Sequence, residues 1–247
     1  VYTSSTGVYY PYLNPPISES RDLVMDVPGG IGEEEGAEYG YGVMKAQSES
    51  AARYAFGDDR TLIVRPTYII GPGDRGNRFQ HWPVRLEMGG EVMIPGNPDD
   101  PVQWIDVRDL SEFIIRMAEK SSAGTYNVVG PASRMGMHAC IHGIHAATSS
   151  PVEWVSIPDY DFLREHGISY IVPWIMPSGN NVGSARVSAG RAVEKGLTFR
   201  PLATTTTDIL EWWNSDAITD ERRLSLTAGI DSLFKREPEI IKAWRSR

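Results

Sequence analysis

An apolar, β-branched run, "RTLIVRPTYIIG" at residues 60–71, is closed by "GPGD" and predicts a strand buried on both faces of a parallel sheet. Shorter runs of the same kind, "EVMIPG", "VQWIDV", "GTYNVVG" and "VEWVSIP", predict further strands. Helical spacing fills the intervals. A helix is expected from about Tyr39 to Phe56, stopped by "GDD", and a shorter one over "FQHWPVRLEMGG" with a glycine stop. "RDLSEFIIRMAEK" sets Leu110, Phe113, Ile114 and Met117 on one face, and "MGMHACIHGIHAAT" reads as one more helix. Residues 1–10 read as a strand end passing into a loop. Residues 11–38 hold four prolines and no sustained period, so a long loop is expected there, with "EEE" at 33–35 as a solvated run. Beyond about residue 159 the pattern is more helical and more broken, and "TTTT" at 204–207 is expected to cap the helix "DILEWW". Alternating strands and helices predict an α/β fold with parallel pairing.

Composition narrows the class without changing that picture. The 247 residues suffice for one large domain or two small ones. With 41% hydrophobic and 23% charged residues they describe an ordinary globular protein. No apolar run approaches the roughly 20 residues of a bilayer span, and the stretch around Ile168 to Met176 is broken by Pro173. The lone cysteine, Cys140, has no internal disulfide partner, in keeping with a reducing compartment and a cytoplasmic location. A net charge of −8, evenly mixed along the chain, argues against holding DNA or RNA by phosphate neutralisation.

The sharpest local chemistry lies in "EYGYGVMKAQSE", where Tyr41 and Lys45 stand four residues apart on one helix face. A free phenol titrates near about 10, too high for a base at neutral pH. A neighbouring ammonium favours the ionised phenol, so the pair is suited to proton transfer. His138, His142 and His145, with Cys140 beside them, share one side of a helix. Imidazoles at that spacing can converge on a metal ion. No carboxylate joins them, so a partly exposed polar stripe is expected, with no metal site. Asp106 in "WIDVRD" is expected to anchor the loop after its strand, and of the tryptophans Trp174 is the pocket candidate.

Four motifs follow one another in order: "TSSTGVYY", "YGVMK", "VRPTYIIGPGDR" and "VQWIDVRDL". With them the sequence resembles the extended short-chain dehydrogenase/reductase superfamily, in its NAD-dependent epimerase/dehydratase branch, clearly over about residues 1–130 and loosely beyond. The resemblance implies a Rossmann-type doubly wound parallel sheet, with its second half in this chain, and a smaller C-terminal α/β substrate lobe. Residues 1–130 would then be the C-terminal half of the NAD(P)-binding domain with interleaved substrate-lobe segments. Residues 131–247 would be mainly substrate lobe and C-terminal helices. By position, Ser5 matches the serine or threonine that bonds the reacting carbonyl or hydroxyl, and Tyr41 matches the general acid/base. Lys45 matches the residue that bonds the nicotinamide ribose and supports the tyrosine. Pro66 and Thr67 match the segment near the nicotinamide amide. Ser4 and Thr6 flank Ser5, and are assigned to cofactor and substrate respectively. The implied cofactor is NAD or NADP. The family's Gly-x-x-Gly-x-x-Gly turn is absent, and "GPGDRG" at 71–76 is not that fingerprint. A first half of the sheet, roughly a hundred residues that also set the choice between NAD and NADP, is therefore expected ahead of residue 1.

The activity so implied is that of an NAD(P)-dependent oxidoreductase or epimerase, moving a proton and a hydride at a carbinol or carbonyl carbon of a small or sugar-like substrate. Dehydratases of the superfamily carry Asp-Glu after the catalytic serine or threonine, where this chain has Thr6 and Gly7, so dehydration is disfavoured. Sugar-nucleotide epimerases carry a basic residue in the neighbourhood of Gln103, which leaves a smaller substrate at least as well supported. Arg78, His81 and Arg85 follow the turn where related enzymes begin their substrate pocket. They either hold a polar or anionic substrate or form solvated helix charges. The alternative is a non-catalytic or RNA-associated relative; the Ser5–Tyr41–Lys45 set argues against lost catalysis and the acidity against RNA. The expected partner is a small-molecule substrate, with neither membrane nor DNA, and with a homodimer left open.

Overall fold

A computed structural model describes residues 1–229 and 232–247 and resolves them into two compact units. Unit 1 takes Val1–Ile69, Gln103–Ser133 and Pro177–Phe199; unit 2 takes Ile70–Val102, Arg134–Met176 and Arg200–Arg247. In chain order the elements are β1 (Tyr2–Thr3), α1 (Glu33–Phe56), β2 (Leu62–Pro66), β3 (Ile69–Ile70), α2 (His81–Met88), β4 (Gly90–Pro95), β5 (Pro101–Asp106) and α3 (Val107–Glu119). There follow β6 (Gly124–Val128), β7 (Gly130–Gly136), α4 (Met137–His145), β8 (Val152–Ile157), α5 (Tyr160–Glu165) and β9 (Tyr170–Ile171). The last are β10 (Trp174–Ile175), α6 (Gly190–Glu194), α7 (Leu202–Asn214), α8 (Asp220–Ala228) and α9 (Leu233–Arg245).

Unit 1 is built on three parallel strands in the order β1–β2–β6. The central strand β2 is buried at all five positions, Arg65 among its apolar neighbours included. Its register places Leu62 against Gly124 and Arg65 against Asn127. Helix α3 covers the sheet with Leu110, Phe113 and Met117, which join Leu62, Val64, Tyr126 and Val128 in one core. Asp106 starts that helix, its Oδ1 accepting the Arg108 N–H at 2.9 Å.

Helix α1 begins six residues before the expected start. Glu33, Glu34 and Glu35 form its first turn, where negative charge meets the positive end of the helix dipole. The same run that reads as solvated surface is therefore also a helix start. Asn180 holds it down, donating to Glu35 Oε1 at 2.8 Å and to Tyr10 Oη at 3.2 Å. The far end stops as expected, at Gly57 with φ of 83°, whose N–H returns to the Arg53 carbonyl.

Unit 2 pairs β4 with β8 in parallel, from Gly90 against Val152 to Pro95 against Ile157. Strands β9 and β10 form a small antiparallel pair. Val84 of α2 packs with Trp213 of α7 and with Ile218. One expectation needs correction here. The threonines at 204–207 do not cap a later helix but lie inside α7, which starts at Leu202 behind Pro201. Thr205 and Thr206 are buried, and Thr206 Oγ1 donates back to the Leu202 carbonyl at 2.9 Å instead of capping a later helix. Strand β7, at Gly130–Gly136, had no periodic signal because its interior positions are exposed. The mixed α/β character and the parallel pairing agree with the sequence. In place of one continuous doubly wound sheet, the described strands fall into four short sheets, parallel in β1–β2–β6 and β4–β8 and antiparallel in β9–β10, and the chain changes unit inside β3, β5 and β7.

Candidate active site

Four residues after β1 begins, the chain makes a short 3-10 turn, Thr6–Tyr9, with Ser5 as its cap. Ser5 Oγ accepts the Gly7 N–H at 3.0 Å. Since a hydroxyl offers one donor and two acceptor sites, the Ser5 O–H is still left to donate. A Cβ placed on Gly7 would stand 2.9 Å from two ring carbons of Tyr41 and 3.4 Å from Ser5 Oγ. Only a residue without a side chain lets the Tyr41 ring and Ser5 flank the turn this closely. On the helix side, a Cβ on Gly42 would fall 2.5 Å from the Gly7 carbonyl oxygen. The two glycines together set the distance between α1 and the turn.

Tyr41 is 46% exposed. Lys45, one turn on, donates from Nζ to the Thr3 carbonyl at 3.2 Å and lies 6.0 Å from the Tyr41 ring centre. An ammonium carries three protons, so two remain beyond the one given to Thr3. Ser4 Oγ is buried and meets no hydrogen-bond partner among the described residues. Thr6 is buried, and its side chain bonds the Tyr12 hydroxyl, whose own pKa burial pushes up. Pro66 ends β2 and is buried, with Thr67 half-buried behind it. Unit 1 thus brings Ser5, Tyr41 and Lys45 around one turn, with Ser4 and Thr6 on either side of Ser5.

The donor set suits a nicotinamide nucleotide. Two spare ammonium protons on Lys45 suit ribose hydroxyls, and the unpartnered Ser4 hydroxyl and the exposed Tyr41 phenol add polar groups close by. Of these groups, Lys45 and Ser4 could hold such a cofactor.

The remaining sequence candidates lie in unit 2. Arg78 and His81 line a cavity of about 590 Å³ with Tyr170, Phe234 and Arg236. His81 sits edge-on to Trp82 and Phe234, and burial, with the Arg85 charge adding, lowers its pKa to about 3. Arg85 is engaged internally: it pairs with Glu237 and donates to the carbonyls of Gly89 and Glu91. Trp174 is fully buried and donates from Nε1 to Asp100 Oδ2 at 2.8 Å. Tyr160 donates to the other oxygen of Asp100 at 2.6 Å, and burial raises the Tyr160 pKa to about 12. In α4, His142 and His145 both stand edge-on to Trp154, at 4.6 and 5.2 Å between ring centres.

Sequence reasoning passed over a buried polar network in unit 1. Arg65 donates to both carboxylate oxygens of Glu49, at 2.8 and 2.5 Å, and to Tyr9 Oη at 2.7 Å. Tyr9 passes its own proton to Asn127 Oδ1 at 2.8 Å, and Asn127 N–H goes to Glu19. A signal existed. An arginine inside an otherwise apolar strand demands a buried anion, and Glu49 continues the four-residue spacing of Tyr41 and Lys45.

A family model for the NAD dependent epimerase/dehydratase family matches residues 1–129. No curated protein matches the sequence. Among solved structures, RMD from Pseudomonas aeruginosa complexed with NADPH is 18% identical, with a TM-score of 0.54 over 87% of this chain and 66% of that one. WbmH of Bordetella bronchiseptica in complex with NAD+ is 13% identical, with a TM-score of 0.55 over 88% and 62%. UDP-glucose 4-epimerase from Bifidobacterium longum, with NAD+ and UDP, is 18% identical, with a TM-score of 0.52 over 87% and 63%. The chain thus spans between three fifths and two thirds of the length of these structures, and at such identities the likeness is one of fold.

Proposed function

Because this chain belongs to the NAD dependent epimerase/dehydratase family, we propose that Ser5, Tyr41 and Lys45 form the reaction site of an NAD(P)-dependent oxidoreductase or epimerase. The reacting atom is a carbinol or carbonyl carbon of a small or sugar-like substrate. The observation that carries this reading is that Ser5 and Tyr41 meet across Gly7 while Lys45, bonded to the Thr3 carbonyl, lies 6.0 Å from the Tyr41 ring centre, all within one unit. When bound, a nicotinamide nucleotide would supply hydride transfer. Tyr41 moves the proton to or from the substrate oxygen, and its exposure leaves room for that oxygen. Ser5 donates its free O–H to the same oxygen and steadies the charge that develops there. Lys45 serves the ribose with its spare protons and keeps positive charge beside Tyr41. Gln103 bears on the substrate. Its amide is tied to the Val187 backbone, accepting at 3.0 Å and donating at 2.9 Å, and it carries no charge for a phosphate, which supports a smaller substrate over a nucleotide sugar.

The test uses the complete protein with NADH or NADPH and a panel of small ketones, aldehydes and nucleotide sugars, followed by nicotinamide absorbance. Tyr41→Phe should lower kcat by about 10²–10⁴-fold while nicotinamide-fluorescence titration shows cofactor binding nearly unchanged. Lys45→Met should weaken both. Equal, mild effects of the two changes would remove the assigned roles.

A further inference from the structure

We propose that Arg65 is the positioning residue of this site, holding the Tyr41 helix and the Ser5 turn at the separation proton transfer needs. The inference rests on the reading of Ser5, Tyr41 and Lys45 given above. Three elements carry the proposed chemistry: the turn after β1, helix α1, and the end of β2 with Pro66 and Thr67. The Arg65 guanidinium is bonded to all three. It belongs to β2 itself, it grips Glu49 of α1 through two parallel bonds, and its Nη1 reaches Tyr9, the last residue of the turn.

Spacing makes this connection direct. Tyr41, Lys45 and Glu49 recur every four residues, so they form one stripe along α1. Lys45 ties the stripe to Thr3 of β1, and Glu49 ties it to β2. Rotation of α1 about its axis, which would carry Tyr41 away from Ser5, must break one or both ties. Along the axis, the close fit of Gly42 on the Gly7 carbonyl leaves no slack. The network is closed at its far side, because Tyr9 hands its proton to Asn127, the register partner of Arg65 on β6.

Stability alone is a poor account of this arrangement. The side chains of Arg65 and Glu49 are 4% and 2% exposed, and burying two charges consumes much of what their attraction returns. A planar fork gripping a carboxylate fixes direction as well as distance, which an apolar contact of equal volume does not. A lysine would keep the charge and lose the fork.

The experiment compares Arg65→Lys, Glu49→Gln and Tyr9→Phe with the parent protein, by crystal structure and by steady-state kinetics on the panel substrate turned over fastest. A displacement of the Tyr41 ring from Gly7 is expected in Arg65→Lys. A misplacement on the order of 1 Å should lower kcat by about 10²-fold, with KM and nicotinamide binding within about threefold. Tyr9→Phe removes one oxygen and leaves the Arg65–Glu49 pair intact, so it carries the test if the other variants fail to fold; its kcat should fall by about tenfold. If folded Arg65→Lys and Tyr9→Phe keep Tyr41 against Gly7 and keep kcat within about twofold, Arg65 is structural only and the proposal is overturned. Retained turnover in Tyr41→Phe sinks the catalytic reading instead. The crystal structures still report in that case whether Arg65 sets the place of Tyr41.

Discussion

Glu49 in unit 1 and Glu237 in unit 2 are buried to almost the same degree, 1% and 2% exposed, and each takes an arginine. Their surroundings differ in a way that separates site from scaffold. Glu49 spends both oxygens on one guanidinium, which in turn touches the turn that begins at Ser5. Glu237 divides itself between Arg85 and the backbone N–H of Met93, and so fastens α9 to α2 and β4. Burial pushes the Glu237 pKa up while Arg85 and the Met93 amide oppose it. A buried carboxylate marks a reaction site only when its partners lead to groups that react. In unit 2 they lead to the ends of helices and strands.

The largest expected effect separates these two carboxylates. Glu49→Ala and Glu237→Ala should each cost about 3–5 kcal/mol, because each leaves a buried arginine without its anion; urea unfolding measures this. Only Glu49→Ala should also lower kcat per folded molecule. Equal kinetic losses in both would erase the distinction between the units.

A matched pair of glycines gives the next test. A Cβ at Gly42 would meet the Gly7 carbonyl at 2.5 Å, and one at Gly136 would meet the Pro98 carbonyl at 2.6 Å. Gly42→Ala and Gly136→Ala should each destabilise by about 1–3 kcal/mol through overpacking. Turnover should fall in the first and hold in the second. Thermal midpoints and initial rates on the same samples decide it.

Acid gives the smallest effect and confines it to one unit. All five histidines, His81, His138, His142, His145 and His166, belong to unit 2. Burial holds His81 at about 3, below its ordinary 6.5. The unfolded chain therefore takes up that proton first, and stability is lost as pH falls from 6.5 towards 3. Between pH 6.5 and about 5 the loss should be about 1–2 kcal/mol. Urea midpoints of His81→Phe should be flatter over that window. A parallel decline in variant and parent would place the acid sensitivity elsewhere.

How legible each part was follows from how the residues do their work. The body of α1, the strands β2, β4, β5, β6 and β8, and the stripe of α3 declare themselves by period, because one face or both are buried. The start of α1 and the threonines of α7 did not. A glutamate run suits solvent and a helix start equally, and threonines suit a cap and a helix interior that buries them. Ser5, Tyr41 and Lys45 are proposed through motif order, since nothing in their local pattern says that a turn and a helix meet at Gly7. Gly7 and Gly42 matter through contacts between segments far apart in the chain. The partners of Arg65 stand 16 and 56 residues away, beyond the reach of any local period.

The interleaving of the two units sets an order of assembly on the ribosome. Within residues 1–247 the last segment of unit 1 ends at Phe199, ahead of residues 200–247 of unit 2. The proposed site of Ser5, Tyr41 and Lys45 can therefore take shape on a nascent chain whose other unit still lacks α7, α8 and α9. Until those helices emerge, Val84 waits for Trp213 and Ile218, and Arg85 waits for Glu237. An interrupted translation product would leave the apolar Val84 without Trp213 and Ile218, the kind of surface that chaperones hold and proteases cut.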